Sequence, residues 1–171
     1  GADIINCSWG SSSYLNAAVS SAQSAGALIV TAAGNDNEDV APYLGTRSGV
    51  MAVAATDASD AKASFSNFGS WVEISAPGVA MYTTAYVFDT EERTYASVQG
   101  TSFSSPLACG AAALLWSGHP TWPWQNIHSA LEGAADNIDA ENPGFVGMLG
   151  SGRVNVQKAL GDNVQQYPDE Y

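Results

Sequence analysis

The run Ala27-Leu28-Ile29-Val30-Thr31-Ala32-Ala33 narrows the possible folds of this chain more than any other stretch. It is apolar at six of seven positions, so both faces of a strand built from it must be buried. That is the pattern of a parallel sheet covered by helices. Residues 14–25, just before it, repeat apolar side chains at helical spacing, with Leu15, Ala18, Val19 and Ala22 on one face and Gly26 as the stop. Residues 3–8 read as an earlier buried strand that ends at Trp9-Gly10. Strand, helix and strand over this distance make a right-handed βαβ unit.

The same reading predicts strands over 50–55 and 71–76. It predicts a turn at 65–69 and a hairpin pairing 79–84 with 94–98 across Asp89-Thr90-Glu91-Glu92. A long helix should follow residue 100 and stop near Gly118-His119-Pro120. Another is expected over about 123–133, with Ile127, Ala130 and Leu131 inward, and a short one over 154–160. The fold class is therefore α/β. Residues 1–160 form one domain, and 161–171 make a polar, acidic tail or linker stub.

A chain of 171 residues can bury a sizeable core. Five Lys and Arg against 17 Asp and Glu give a net charge of −12, which argues against nucleic acid or an anionic membrane as partner. No apolar run reaches the roughly 18 residues of a membrane span. No signal peptide is visible, and the chain enters the run Ile4-Ile5-Asn6-Cys7 almost at once, as expected of a piece of something longer. Cys7 and Cys109 both sit in apolar segments and read as reduced core residues. A disulfide between them stays open in an exported protein.

The segment with the most chemical content is Gly100-Thr101-Ser102-Phe103-Ser104-Ser105-Pro106, which runs into the apolar stretch 107–116. Ser102 falls at the start of the predicted central helix. There the free N–H groups and the positive end of the helix dipole favour negative charge. A hydroxyl held there is placed to act as a nucleophile, and its own N–H can help hold an oxyanion. On this stretch alone the alternative is that Thr101 or Ser102 caps the helix. Ligands of open parallel sheets bind at the carboxyl ends of strands, where Ser8-Trp9-Gly10 and Ala32-Ala33-Gly34-Asn35 lie. If those ends share one edge, Asn35 lies near Ser102, and its amide completes a two-donor oxyanion hole.

Those three segments occur in the order and spacing of the subtilisin-like serine proteases, which this chain resembles up to about residue 160. Ala63-Ser64-Phe65-Ser66-Asn67-Phe68-Gly69 and Ala76-Pro77-Gly78 resemble the family's middle section. His119-Pro120 and Gly150-Ser151-Gly152-Arg153-Val154-Asn155-Val156 resemble its closing helices. The resemblance implies a three-layer, parallel-sheet subtilisin-like fold, truncated on its amino-terminal side. It implies Ser102 as nucleophile and Asn35 as oxyanion donor. Ser8, Trp9, Gly10, Ala32, Ala33, Gly34 and Thr101 are then substrate-binding, with Trp9 in a hydrophobic subsite and 32–34 on the wall of the primary specificity pocket. The alternatives are plain core for Trp9, tight packing for 32–34 and a turn for Asn35.

The resemblance further implies a secreted enzyme acting on polypeptide. It requires no cofactor, with Ca²⁺ as a structural ion in some relatives. Asp57 matches a position near a weak cation site, against a solvated turn acid as the alternative. The loop acids Asp36, Glu38 and Asp39 lack a spacing that demands Ca²⁺. Phe103 replaces a methionine common in relatives, and Leu44 replaces a proline.

The family's aspartate and histidine motifs have no counterpart here. Of two histidines, His119 falls at the far end of the helix that begins at Ser102, about 25 Å away at 1.5 Å per residue, and His128 is expected at the surface. The sequence therefore predicts the carboxyl-terminal part of a serine endopeptidase domain, inactive alone, whose partner is the missing amino-terminal part. The competing reading is a non-catalytic pseudoprotease or assembly fragment, pairing as a homodimer through the open sheet edge at Ile4.

Overall fold

In the computed structural model, which describes residues 1–10 and 14–161, four parallel strands form the central sheet in sequence order. They are β1 (Ile4–Cys7), β2 (Leu28–Ala32), β3 (Val50–Thr56) and β4 (Ile74–Pro77). β2 and β3 are buried along their whole lengths, as a doubly covered parallel strand must be. Registers run Ile4 to Leu28, Ile29 to Val50 and Val53 to Ile74. The proposed tail at 161–171 lies outside the described residues except for Gly161.

Alternation along the strands sorts side chains into two layers. Leu28, Val30, Met51, Val53, Ile74 and Ala76 point to one face. There they meet Ala108, Ala111, Ala112 and Leu115 of α2 (Thr101–Gly118) and Ile127 and Leu131 of α3 (Trp124–Ala134). Cys7, Ile29 and Val50 point to the other face, against Val19 of α1 (Asn16–Ser24) and Leu44 in a short 3-10 turn, with Leu15 and Ala22 alongside. Ala18, expected inward, is exposed, and Val19 is the buried residue of α1. Small residues on α2 let it lie close across all four strands. Leu115 is fully buried there, and Leu115→Ala should lower unfolding free energy by about 2–5 kcal/mol, read as a shifted denaturant midpoint at unchanged slope.

The predicted hairpin forms, as β5 (Met81–Val87) and β6 (Glu92–Val98), antiparallel and separate from the main sheet. The fourth strand begins later than predicted. Residues 69–72 close a turn (Val72 N–H to Gly69 carbonyl, 3.1 Å), and the Trp71 indole N–H is held 3.0 Å from Asp39 Oδ1, which delays pairing to Ile74. A last helix, α4 (Val156–Leu160), is capped by the Asn155 side chain. Among the described residues no helix is long and apolar enough to cross a membrane.

The expectation for His128 is corrected. It is buried at 8% exposure, because α3 turns that side chain toward Glu73 next to β4. β1 is an edge strand of the sheet, as the reading of an open edge at Ile4 requires.

Candidate active site

The carboxyl ends of β1 and β2 and the start of α2 meet at one place. Gly100, at φ 145° and ψ 155°, is the residue before the helix, in a backbone conformation that favours glycine. With no side chain of its own to cap the helix, Gly100 leaves that role to Asn35. The Asn35 Oδ1 accepts the Thr101 N–H at 2.9 Å and the Thr101 hydroxyl at 3.0 Å. Thr101 Oγ1 in turn accepts the Gly34 N–H at 3.1 Å. These contacts hold the oxygen end of the Asn35 amide. Its oxygen faces the helix, and its Nδ2 lies over Gly100, where a Cβ would come within 3.6 Å of it.

Ser102 is the second residue of α2 and half-buried. Its hydroxyl donates to the Ser8 carbonyl at 3.1 Å, and the Ser8 hydroxyl donates back to the Ser102 carbonyl at 2.8 Å. The second bond has a cause in the sequence. The helical partner of the Ser102 carbonyl would be the N–H of residue 106, which is proline and has none. The freed carbonyl takes the Ser8 hydroxyl instead, and the end of β1 is tied to the turn at Ser102. Asn6 extends the tie, donating from Nδ2 to Ser8 Oγ at 2.9 Å and accepting from the Ser105 hydroxyl.

The sequence-predicted residues divide into two groups. Ser8 and Ser102, and Gly34 and Asn35 through Thr101, are joined by hydrogen bonds at the start of α2, while Trp9, which follows Ser8, is 49% exposed, not core. Thr101, Ala32 and Ala33 are buried. Thr101 is fully buried and engaged with Asn35 and Gly34, so its side chain holds the amide oxygen in place. Ala33 is fully buried against Ala54, Val72, Ile138 and Leu149. Asp57 closes its own turn, with Oδ1 accepting the N–H groups of Ser59 and Ala61 at 2.8 and 3.1 Å. Asp39 is engaged with Trp71. Among the described residues neither acid joins a group of three metal-binding side chains.

One contributor escaped the sequence reading. Asn67 is buried, and its Oδ1 accepts the N–H groups of Asp36 and Glu38 at 2.9 and 3.2 Å, while its backbone N–H donates to the Gly34 carbonyl at 3.0 Å. It therefore braces the loop that carries Asn35. A Cβ on Gly34, at φ 105°, would sit 2.5 Å from Asn67 Nδ2, so only glycine fits there. The signal available was the asparagine in Phe65-Ser66-Asn67-Phe68-Gly69, though nothing local says which loop it braces.

The two thiols are free. Burial, and next the nearby Cys7, push the Cys109 thiol up to about 12, and burial pushes Cys7 up as well. At pH 8.5 the native Cys109 should carry about 10³-fold less thiolate than in the unfolded chain, and alkylation should slow to match. Folded thiols above the ordinary value of 9.0 support stability fully below that value. The support is lost as pH rises from 9 toward 12.

The Subtilase family model matches residues 1–152, and the chain belongs to that family. Subtilisin BL of Lederbergia lenta is 38% identical over 162 residues, covering 93% of this chain and 56% of the relative. Thermitase of Thermoactinomyces vulgaris is 39% identical over 163 residues, covering 94% and 54%. A solved protease of Pseudoalteromonas arctica PAMC 21717 superposes with a TM-score of 0.83 at 30% identity, covering 93% of this chain and 50% of that one. The patellamide maturation protease PatA superposes at 0.81 and 30% identity, covering 94% and 62%. The α/β fold with its parallel sheet is thus the subtilisin-like one. The chain spans about half the length of the curated relatives it matches.

Proposed function

We propose that this chain is the nucleophile-bearing part of a subtilisin-like serine endopeptidase that acts outside the cell on extended polypeptide. Ser102 attacks the scissile carbonyl, and the Ser102 N–H and Asn35 Nδ2 receive the oxyanion. What supports the reading is that Asn35 Oδ1 is taken up by the Thr101 N–H and hydroxyl at the start of α2, which turns the amide nitrogen toward Gly100, two residues before Ser102. Trp9 and the backbone of Ser8 and Gly10 would flank the substrate, and Gly34 with the backbone of 32–33 would line the pocket for its main side chain.

The base and the acid that orients it belong, on this reading, to an upstream part of the parent protein. His119 closes the far end of α2 and stacks on Trp122 at 3.9 Å, and His128 serves α3. Neither is placed to take the Ser102 proton. A fluorophosphonate probe should label the intact parent at Ser102, and Ser102→Ala should abolish labelling; labelling that survives the substitution would remove Ser102 from the role.

The second reading is an assembly fragment, favoured by β1 lying at the sheet edge with its backbone open to another strand. It predicts a dimer by light scattering at moderate concentration. A monomer would count against it. It also predicts a parent without family-type aspartate and histidine motifs.

A further inference from the structure

At the other end of the sheet, by the amino end of β4, a second set of reactive side chains comes together. His128 and Glu132 stand one turn apart on α3 and project from the same face. Glu73 reaches them from the residue before β4. Its backbone is held on both sides, by its N–H to the Ala52 carbonyl and by the Ser151 N–H to its own carbonyl, each at 3.0 Å. His128 Nε2 lies 3.0 Å from Glu73 Oε2 and 3.8 Å from Glu132 Oε1, and all three ligand atoms lie within 4.8 Å of one another.

This is a built arrangement, not a patch of surface acids. The His128 side chain is only 10% exposed and stacks beside Trp124, so its ring is fixed, whereas the two carboxylates are 34% and 30% exposed and open the cluster to solvent. A first-row divalent ion takes imidazole nitrogen and carboxylate oxygen at about 2.0–2.2 Å, which sets neighbouring ligand atoms about 3–4 Å apart. The two separations from the imidazole fall at the ends of that range. Ca²⁺ prefers six to eight oxygens and gains little from an imidazole. Charge favours an ion as well. Two carboxylates face one another across the imidazole, and a cation between them offsets their repulsion.

We propose that Glu73, His128 and Glu132 bind a single divalent transition-metal ion, Zn²⁺ by the chemistry of the donor set, and that the ion clamps α3 to the amino end of β4. Three protein ligands leave a fourth position for water. The role is structural, at the opposite end of the strands from Ser102, and does not depend on the protease reading.

The test is a Zn²⁺ titration of the full chain after chelator treatment and desalting, at pH 7.5. It is followed by calorimetry, by competition with a chromogenic chelator and by thermal unfolding. The expected result is one ion per chain and a raised Tm, with no such rise from equal Ca²⁺ or Mg²⁺. His128→Gln and Glu132→Gln should each weaken Zn²⁺ binding more than tenfold, while His119→Gln leaves it unchanged. Glu132→Gln removes one ligand without touching the buried ring, so it decides the matter should His128→Gln disturb folding. Absence of saturable binding, binding that survives both cluster substitutions, or binding lost with His119→Gln would each overturn the proposal. In the first case the triad is an ion-pair staple and nothing more.

Discussion

Peptide hydrolysis by this chain alone should run about 10⁴–10⁶-fold below that of the intact parent. That range is the one known for loss of triad members in subtilisin, carried over and not deduced from this structure. The structural reason is visible at Ser102. Its proton is directed to the Ser8 carbonyl, which can accept a hydrogen bond but cannot take the proton away. The nucleophile turn is otherwise assembled, since Pro106, Ser8 and Asn6 hold it in place. Adding the parent's upstream part should therefore restore burst-phase acylation at Ser102 without a change elsewhere in the sequence. Turnover by the isolated chain within tenfold of the parent would show that a base was found among these residues after all.

In the parent, Asn35→Ala should lower kcat by about 10²–10³ and leave KM nearly unchanged, because the amide meets the substrate oxygen only once it carries charge. This magnitude too is that of the corresponding asparagine in subtilisin. The substitution has a second consequence particular to this geometry. Asn35 Oδ1 is the acceptor for the first N–H of α2, so alanine also uncaps the helix, at about 0.5–2 kcal/mol of stability. Asn35→Asp keeps that acceptor and removes the donor. It should retain more stability than alanine and still lose the rate, and the pair of variants separates the two roles of the residue. A full-rate Asn35→Asp enzyme would remove Asn35 from the oxyanion site.

Much of the backbone around Ser102 was legible in the letters. Glycine before the central helix, small residues along it, and proline four places after Ser102 each constrain the backbone locally, and each has a counterpart in the folded chain. The helix boundaries near 118 and 123 follow from Gly118, Pro120 and Pro123 for the same reason. What was misjudged depended on partners distant in sequence. His128 was expected at the surface, and only Glu73, 55 residues away, gives it reason to be buried. That the Thr101 side chain is buried and bonded to Asn35 and Gly34 is likewise seen only in the folded chain.

The sequence by itself determined the parallel α/β sheet, the position of the turn that leads into α2 at Ser102 and the family, since buried strands, helix stops and turn residues are written in runs of neighbours. Tertiary structure alone decided the direction of the Asn35 amide, the reciprocal bonds of Ser8 and Ser102, and the meeting of Glu73 with α3. Hydrogen bonds and metal-ligand distances are settled within tenths of an ångström. Chain segments reach that precision only when packing has fixed elements that lie tens of residues apart.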